Sequence, residues 1–122
     1  MNLIAGVADS ARFAIDGGET LALPAAAPRA GALILGLRPE HAAVSVAGTD
    51  AAGWPFTVEL VEMLGAERLV HGRLGAAPFT LRIDGQLVPP QAGERLTLRA
   101  AAERLHWFDP ATGMRVDGPA VA

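Results

Sequence analysis

Three carboxylates, Glu59, Glu62 and Glu67, flank the segment Met63-Leu64-Gly65, and paired carboxylates serve as general acid and base where burial drives their pKa values apart. The neighbouring residues argue against that use. Glu59 falls on the polar phase of an alternating stretch, where a glutamate is ordinarily solvated, and the alternation slips at Leu60-Val61, so that Glu62 follows a bulge or bend. Hydroxyl and thiol nucleophiles are scarce. The serines are Ser10 and Ser45, cysteine is absent, and Ser45 between Val44 and Val46 reads as an outward strand residue. No nucleophile, base and orienting acid can be named from this set, so catalysis is not expected.

The histidines His41, His71 and His106 lie far apart and have no second His or Cys at the spacings of structural zinc sites, so no metal is expected. His106 alternates with Leu105 and Trp107 and is expected to face away from both. All ten basic residues are Arg, which excludes a Schiff-base lysine and a P-loop lysine. The arginines are scattered among thirteen acids, for a formal net charge of −3. No basic tract can neutralise a row of phosphates, and nucleic acid is not an expected ligand.

Recognition chemistry is better represented. In Arg38-Pro39-Glu40-His41, at the end of the apolar run Ala32 to Leu37, the proline fixes the backbone where a strand stops, and Arg38, Glu40 and His41 can present charge-assisted hydrogen bonds to a partner. The plainer reading is a strand-ending turn with an Arg–Glu pair. Trp107 and Phe108 are adjacent, so on a strand they point oppositely, and one of them is available as an interface anchor. Phe56 and Phe79 sit in apolar strand phases and belong to the core.

The elements that must position these residues are strands. Polar and apolar residues alternate in Phe56-Thr57-Val58-Glu59-Leu60, Phe79-Thr80-Leu81-Arg82-Ile83 and Arg95-Leu96-Thr97-Leu98-Arg99, and more weakly in Ala11-Arg12-Phe13-Ala14-Ile15. Turns are expected at Asp16-Gly17-Gly18, Ala47-Gly48-Thr49-Asp50, Asp84-Gly85, Gln91-Ala92-Gly93 and Asp109-Pro110, and loops at Pro24 to Pro28 and Ala47 to Gly53. Nine prolines and fourteen glycines leave room for little helix, at most one turn over Ala100 to Arg104. The expected class is therefore all-β, a sandwich or small barrel of short strands forming one domain over 1–122. The apolar fraction of 51% owes much to alanine, which predicts a thin core that a partner surface would help. No uninterrupted apolar stretch has the ~18 residues of a membrane span, and Met1 to Asp9 lacks the pattern of a secretion signal, so a soluble chain is expected.

Several short segments follow one another in a particular order: Met1-Asn2-Leu3, Arg38-Pro39-Glu40-His41, Val58-Glu59-Leu60-Val61-Glu62-Met63-Leu64-Gly65, Leu69-Val70-His71, Leu105-His106-Trp107-Phe108-Asp109 and Asp109-Pro110-Ala111-Thr112-Gly113. In that order the chain resembles the C-terminal regulatory region, the transport-associated OB domain, of ATP-binding subunits of maltose-type and glycerol-phosphate-type ABC importers. The resemblance implies small OB-like barrels with strands drawn from distant parts of the chain. It also implies a noncatalytic regulatory and dimerisation domain without cofactor, with the ATPase domain lying outside this sequence and joined near Met1-Asn2-Leu3. Such a domain is cytoplasmic and peripheral to the inner membrane. Its implied partners are a second copy in a homodimer, the nucleotide-binding domain of the parent subunit and a regulatory protein. The alternative is a small oxyanion-binding module of the OB type, holding an anion such as molybdate by backbone N–H groups and arginine.

Overall fold

Alternation at period two carries most of the architecture. In the computed structural model, which describes residues 1–45, 53–85 and 89–116, ten strands run in chain order. They are β1 (Asn2–Asp9), β2 (Arg12–Ile15), β3 (Thr20–Ala22), β4 (Gly31–Leu37), β5 (Ala43–Ser45), β6 (Trp54–Leu64), β7 (Glu67–Leu74), β8 (Ala77–Asp84), β9 (Arg95–Arg99) and β10 (His106–Phe108). Two single 3₁₀ turns, Pro39–His41 and Ala102–Arg104, are the helical elements among the described residues, and the second falls within the turn expected at Ala100 to Arg104. The expected turn at Ala47-Gly48-Thr49-Asp50, and all but the last residue of the loop Ala47 to Gly53, lie outside the described residues.

All strand pairs are antiparallel, and they form two five-stranded sheets of the OB-like kind. The first has the order β10-β4-β1-β2-β3 and the second β5-β9-β6-β7-β8. β10 returns from the far end of the sequence to lie beside β4, so the first sheet draws on distant parts of the chain. Inward side chains of both sheets merge into one core, with Phe13, Leu33 and Leu35 from the first and Phe56, Val70, Leu81 and Leu98 from the second all fully buried.

Each sheet curls around an aromatic pair. Phe13 on β2 meets Trp107 on β10 edge to face, with centroids 5.5 Å apart, although β1 and β4 lie between their strands. Phe56 on β6 meets Phe79 on β8 at 6.0 Å across β7. On β1 and on β7, the strand beneath the ring has no side chain at the crossing. A Cβ on Gly6 of β1 would stand 2.7 Å from Phe13 Cζ and 2.4 Å from the Ala14 carbonyl oxygen, and one on Gly72 of β7 would stand 2.6 Å from Phe56 Cζ and 2.1 Å from the Thr57 carbonyl oxygen. The rings lie on bare backbone.

Tight hairpins hold the second sheet in register. Leu64↔Glu67 and Leu74↔Ala77 each enclose a Gly-Ala pair, and Gly65 (φ 63) and Gly75 (φ 58) supply the left-handed residue that a twist-compatible two-residue turn requires at its first position.

Two side chains tie the sheets together. The Asn2 amide, at the start of β1, donates from Nδ2 to the Thr80 carbonyl (2.8 Å) and the Leu37 carbonyl (3.2 Å), and its Oδ1 accepts the Thr80 N–H (2.7 Å). It thus imitates one peptide unit along the edge strand β8. Trp54 Nε1, buried at the start of β6, donates to the Ala22 carbonyl of β3 (2.7 Å).

Replacing Gly72 by Ala drives a Cβ into backbone and ring together, and the expected loss is about 3 kcal/mol or more, read from urea unfolding by near-ultraviolet circular dichroism. Asn2→Ala leaves the Thr80 N–H and carbonyl without their partner, and the same measurement should show a loss of about 1–3 kcal/mol.

Candidate functional site

β4 delivers the recognition turn. Leu33, Leu35 and Leu37 face the core, which leaves Ala32, Ile34 and Gly36 on the outer face, and the strand then runs into Arg38 in extended conformation (φ −72, ψ 144). Pro39 opens the 3₁₀ turn, where its missing N–H is no loss, and the His41 N–H closes it on the Arg38 carbonyl at 3.0 Å. Arg38 and Glu40 are exposed and His41 is half-buried. The Glu40 carboxyl is held below its ordinary value by its own backbone N–H and by the positive charges of His41, Arg82 and Arg38.

The second motif reaches the same place. His106 of β10 pairs with Gly36, and Arg104, just before it, brings Nη1 to 3.4 Å from His41 Nε2. His41 Nδ1 is buried and has no hydrogen-bond partner among the described residues. His106 is pushed below its ordinary value of 6.5 by loss of solvent and then by the charges of Arg115, Arg38 and His41. Five basic side chains thus gather in a chain whose net charge is negative. Beside them lies a cleft of about 550 Å³, lined by Glu40, His41, Ala43, Arg99, Ala100, Ala101 and Arg104.

Trp107 and Phe108 part as neighbouring strand residues must. The Trp107 ring belongs to the core, 8% exposed, whereas Phe108 faces outward and is half-buried. Around Phe108, with Leu3, Ile34 and Gly113, runs an apolar groove of about 220 Å³. Gly36 lies beneath Phe108 and Met1, since a Cβ there would meet Phe108 Cε2 at 2.9 Å and Met1 Sδ at 2.7 Å. Of the expected recognition residues, Arg38, Glu40 and His41 share one end of β4, Phe108 lies on its outer face, and Trp107 is packed behind it.

The carboxylates do not converge. Glu59 pairs with Arg73 (3.2 Å), Glu67 with Arg82 (3.7 Å) and Glu62 with His71, whose Nδ1 lies 3.1 Å from Thr80 Oγ1. The register break falls between Val58 and Leu60, one residue ahead of the slip read at Leu60-Val61, and it leaves Glu59 unpaired in the ladder. Among the described residues no group of three or more His, Asp or Glu side chains is placed to hold a metal ion, and no helix is long and apolar enough to cross a membrane. Ser45 closes β5 by its backbone.

Sequence reasoning passed over Arg104, Arg115 and Asn2. Arg104 and His41 are 63 positions apart, and neither carries a local pattern that announces the other. Arg115 enters through an isolated bridge to Phe108.

Residues 35–108, from within β4 to the end of β10, match the family model described as TOBE domain. Among curated proteins, the sn-glycerol-3-phosphate import ATP-binding protein UgpC of Salmonella typhi is 43% identical over 122 residues, covering 95% of this chain and 33% of the relative. The protein of the same name from Salmonella typhimurium is 42% identical with the same coverage, and that of Escherichia coli O6:H1 is 40% identical over 120 residues, again at 95% and 33%. The chain therefore spans about a third of the length of these relatives.

The His106 shift has a consequence for stability. Because its folded pKa is depressed, the folded state resists a proton that the unfolded chain accepts, so this contribution is intact above about pH 6.5 and is lost as the pH falls through the folded value. His106→Gln should lose less stability between pH 7.5 and 5 than the parent in paired urea titrations; equal losses would show that the site does not titrate this way.

Proposed function

The chain belongs to the TOBE domain family, and from that membership we propose that it is the noncatalytic regulatory and dimerisation domain of the ATP-binding subunit of an importer. The observation that carries this reading is the 43% identity across 95% of the chain to a protein described as an import ATP-binding protein. The cargo of the parent transporter would then be sn-glycerol 3-phosphate or a related polyol phosphate or sugar. The domain would lie on the cytoplasmic side, peripheral to the inner membrane, in contact with the nucleotide-binding domain of its own subunit.

Its work in that setting is mechanical. Two ATPase domains that separate after each turnover must meet again, and a permanent contact elsewhere in the two subunits makes the second encounter intramolecular, at an effective concentration in the millimolar range for short tethers. The outward apolar residues of the first sheet, such as Leu3 and Val7, support a domain that completes its packing against another surface. A regulatory protein or metabolite that favours the arrangement with the ATPase domains apart would inhibit by its differential affinity for that state. The basic gathering at the end of β4 is the surface best suited to receive such a regulator.

A clasp must hold more tightly than the concentration at which its tether already keeps the partners. Sedimentation equilibrium of the purified chain should therefore show a reversible dimer with a dissociation constant well under about 1 mM. A chain that stays monomeric to that concentration would remove the dimerisation role.

A further inference from the structure

Two apolar features remain uncovered, and they lie on different sheets. Beyond Thr57, β6 has left its pairing with β9 and continues past the bulge beside β7, which β8 pairs along its whole length, and there Leu60, Met63 and Leu64 are 58%, 62% and 47% exposed. On the outer face of the first sheet the groove beside Phe108 is equally open, with Leu3 61% exposed on its wall. Large apolar side chains held out in this way mark contact surfaces when they cluster, and here one cluster is a projection and the other a hollow.

Charge says what fits the hollow. Arg115 is bridged to Phe108, so both side chains point to the outer face, and Arg115 together with Arg38 sets positive charge beside the groove. An occupant should present an aliphatic side chain with carboxylates beside it. The tip of the β6–β7 ribbon has that composition: Leu60, Met63 and Leu64 interleaved with Glu59, Glu62 and Glu67. The three glutamates have partners within their own sheet, but the carboxylates are 53%, 51% and 53% exposed, and such ion pairs hold weakly enough to be exchanged for new ones.

We infer that two copies of this chain associate reciprocally, the ribbon tip of each entering the groove beside Phe108 of the other. This rests on the dimerisation reading above and gives it an address. Tip and groove are unlike surfaces, so a single contact would leave one of each free at either end and would propagate; two contacts related by a twofold axis use all four and close the assembly.

The test separates tip from groove. Leu60→Arg/Leu64→Arg puts positive charge on the tip, Leu3→Glu puts negative charge in the groove, and each alters side chains so exposed that folding, checked by circular dichroism, should be kept. Alone, each variant should dissociate at least about a hundredfold more readily than the parent in sedimentation velocity. Mixed one to one they should form a heterodimer, because the unaltered tip of one still meets the unaltered groove of the other. A parent dimer that neither variant weakens, or variants that weaken it and yet fail to pair when mixed, would overturn this arrangement while leaving dimerisation standing. A monomeric parent would end both.

Discussion

An aromatic ring laid across a glycine is the contact on which both sheets depend. The intrinsic twist of the strands is tightened where the far strands of each sheet are drawn together, and the rings of Phe13 and Phe56 do so by reaching over β1 and β7 to Trp107 and Phe79. Neither reach is possible over a Cβ, as the separations of 2.7 and 2.6 Å at Gly6 and Gly72 make plain. The same device occurs once per sheet, on the strand that lies beneath the ring. Curling is what turns a two-sided sheet into a barrel-like body with an interior, and it leaves Leu3 and Val7, outward residues of β1, exposed on the convex face.

That curl also sets up the candidate site. Trp107 must turn inward to meet Phe13, and because strand neighbours alternate, His106 and Phe108 are forced outward together. His106 then faces the end of β4, where Arg38 and His41 follow the last inward leucine, and Phe108 covers Gly36. One packing decision in the core therefore fixes the positions of a cationic cluster and an apolar groove on the surface. The depressed His106 follows from this crowding, since every charge acting on it is positive.

The parts of the fold legible in the sequence were those written locally. β9 runs over Arg95–Arg99 as the alternation indicated, Phe79 to Ile83 lies inside β8, and the turns at Gly17 and Gly93 fall where glycine relieves a positive φ. β7 was not read, because Leu69 and Val70 are adjacent and apolar: one is buried and the other half-exposed at the projecting end of the ribbon, so alternation is blurred there. β6 was read only to Leu60, since the bulge at Glu59 reverses its phase. The ordered motifs pointed to the family, but the pairing of Arg104 with His41 and the Asn2 link to Thr80 span 63 and 78 positions, and no local rule encodes contacts of that range. Trp107 and Phe108 looked equivalent as anchors until the core claimed one of them.

A domain that only holds others in place needs a rigid frame more than it needs a deep core. Side-chain amide to backbone bonds at Asn2 and an indole to backbone bond at Trp54 fasten the two sheets at separate points, so relative sliding of the sheets would break directional bonds as well as apolar contact. Sliding about one fastening could be a hinge; two fastenings on different strands oppose it. Beyond Thr57, where β9 no longer pairs, β6 is still held through β7 to β8, the strand that carries the Asn2 fastening. A rigid body carrying one projecting ribbon suits a clasp, because force applied at the tip is transmitted to the whole frame instead of being spent on deforming it.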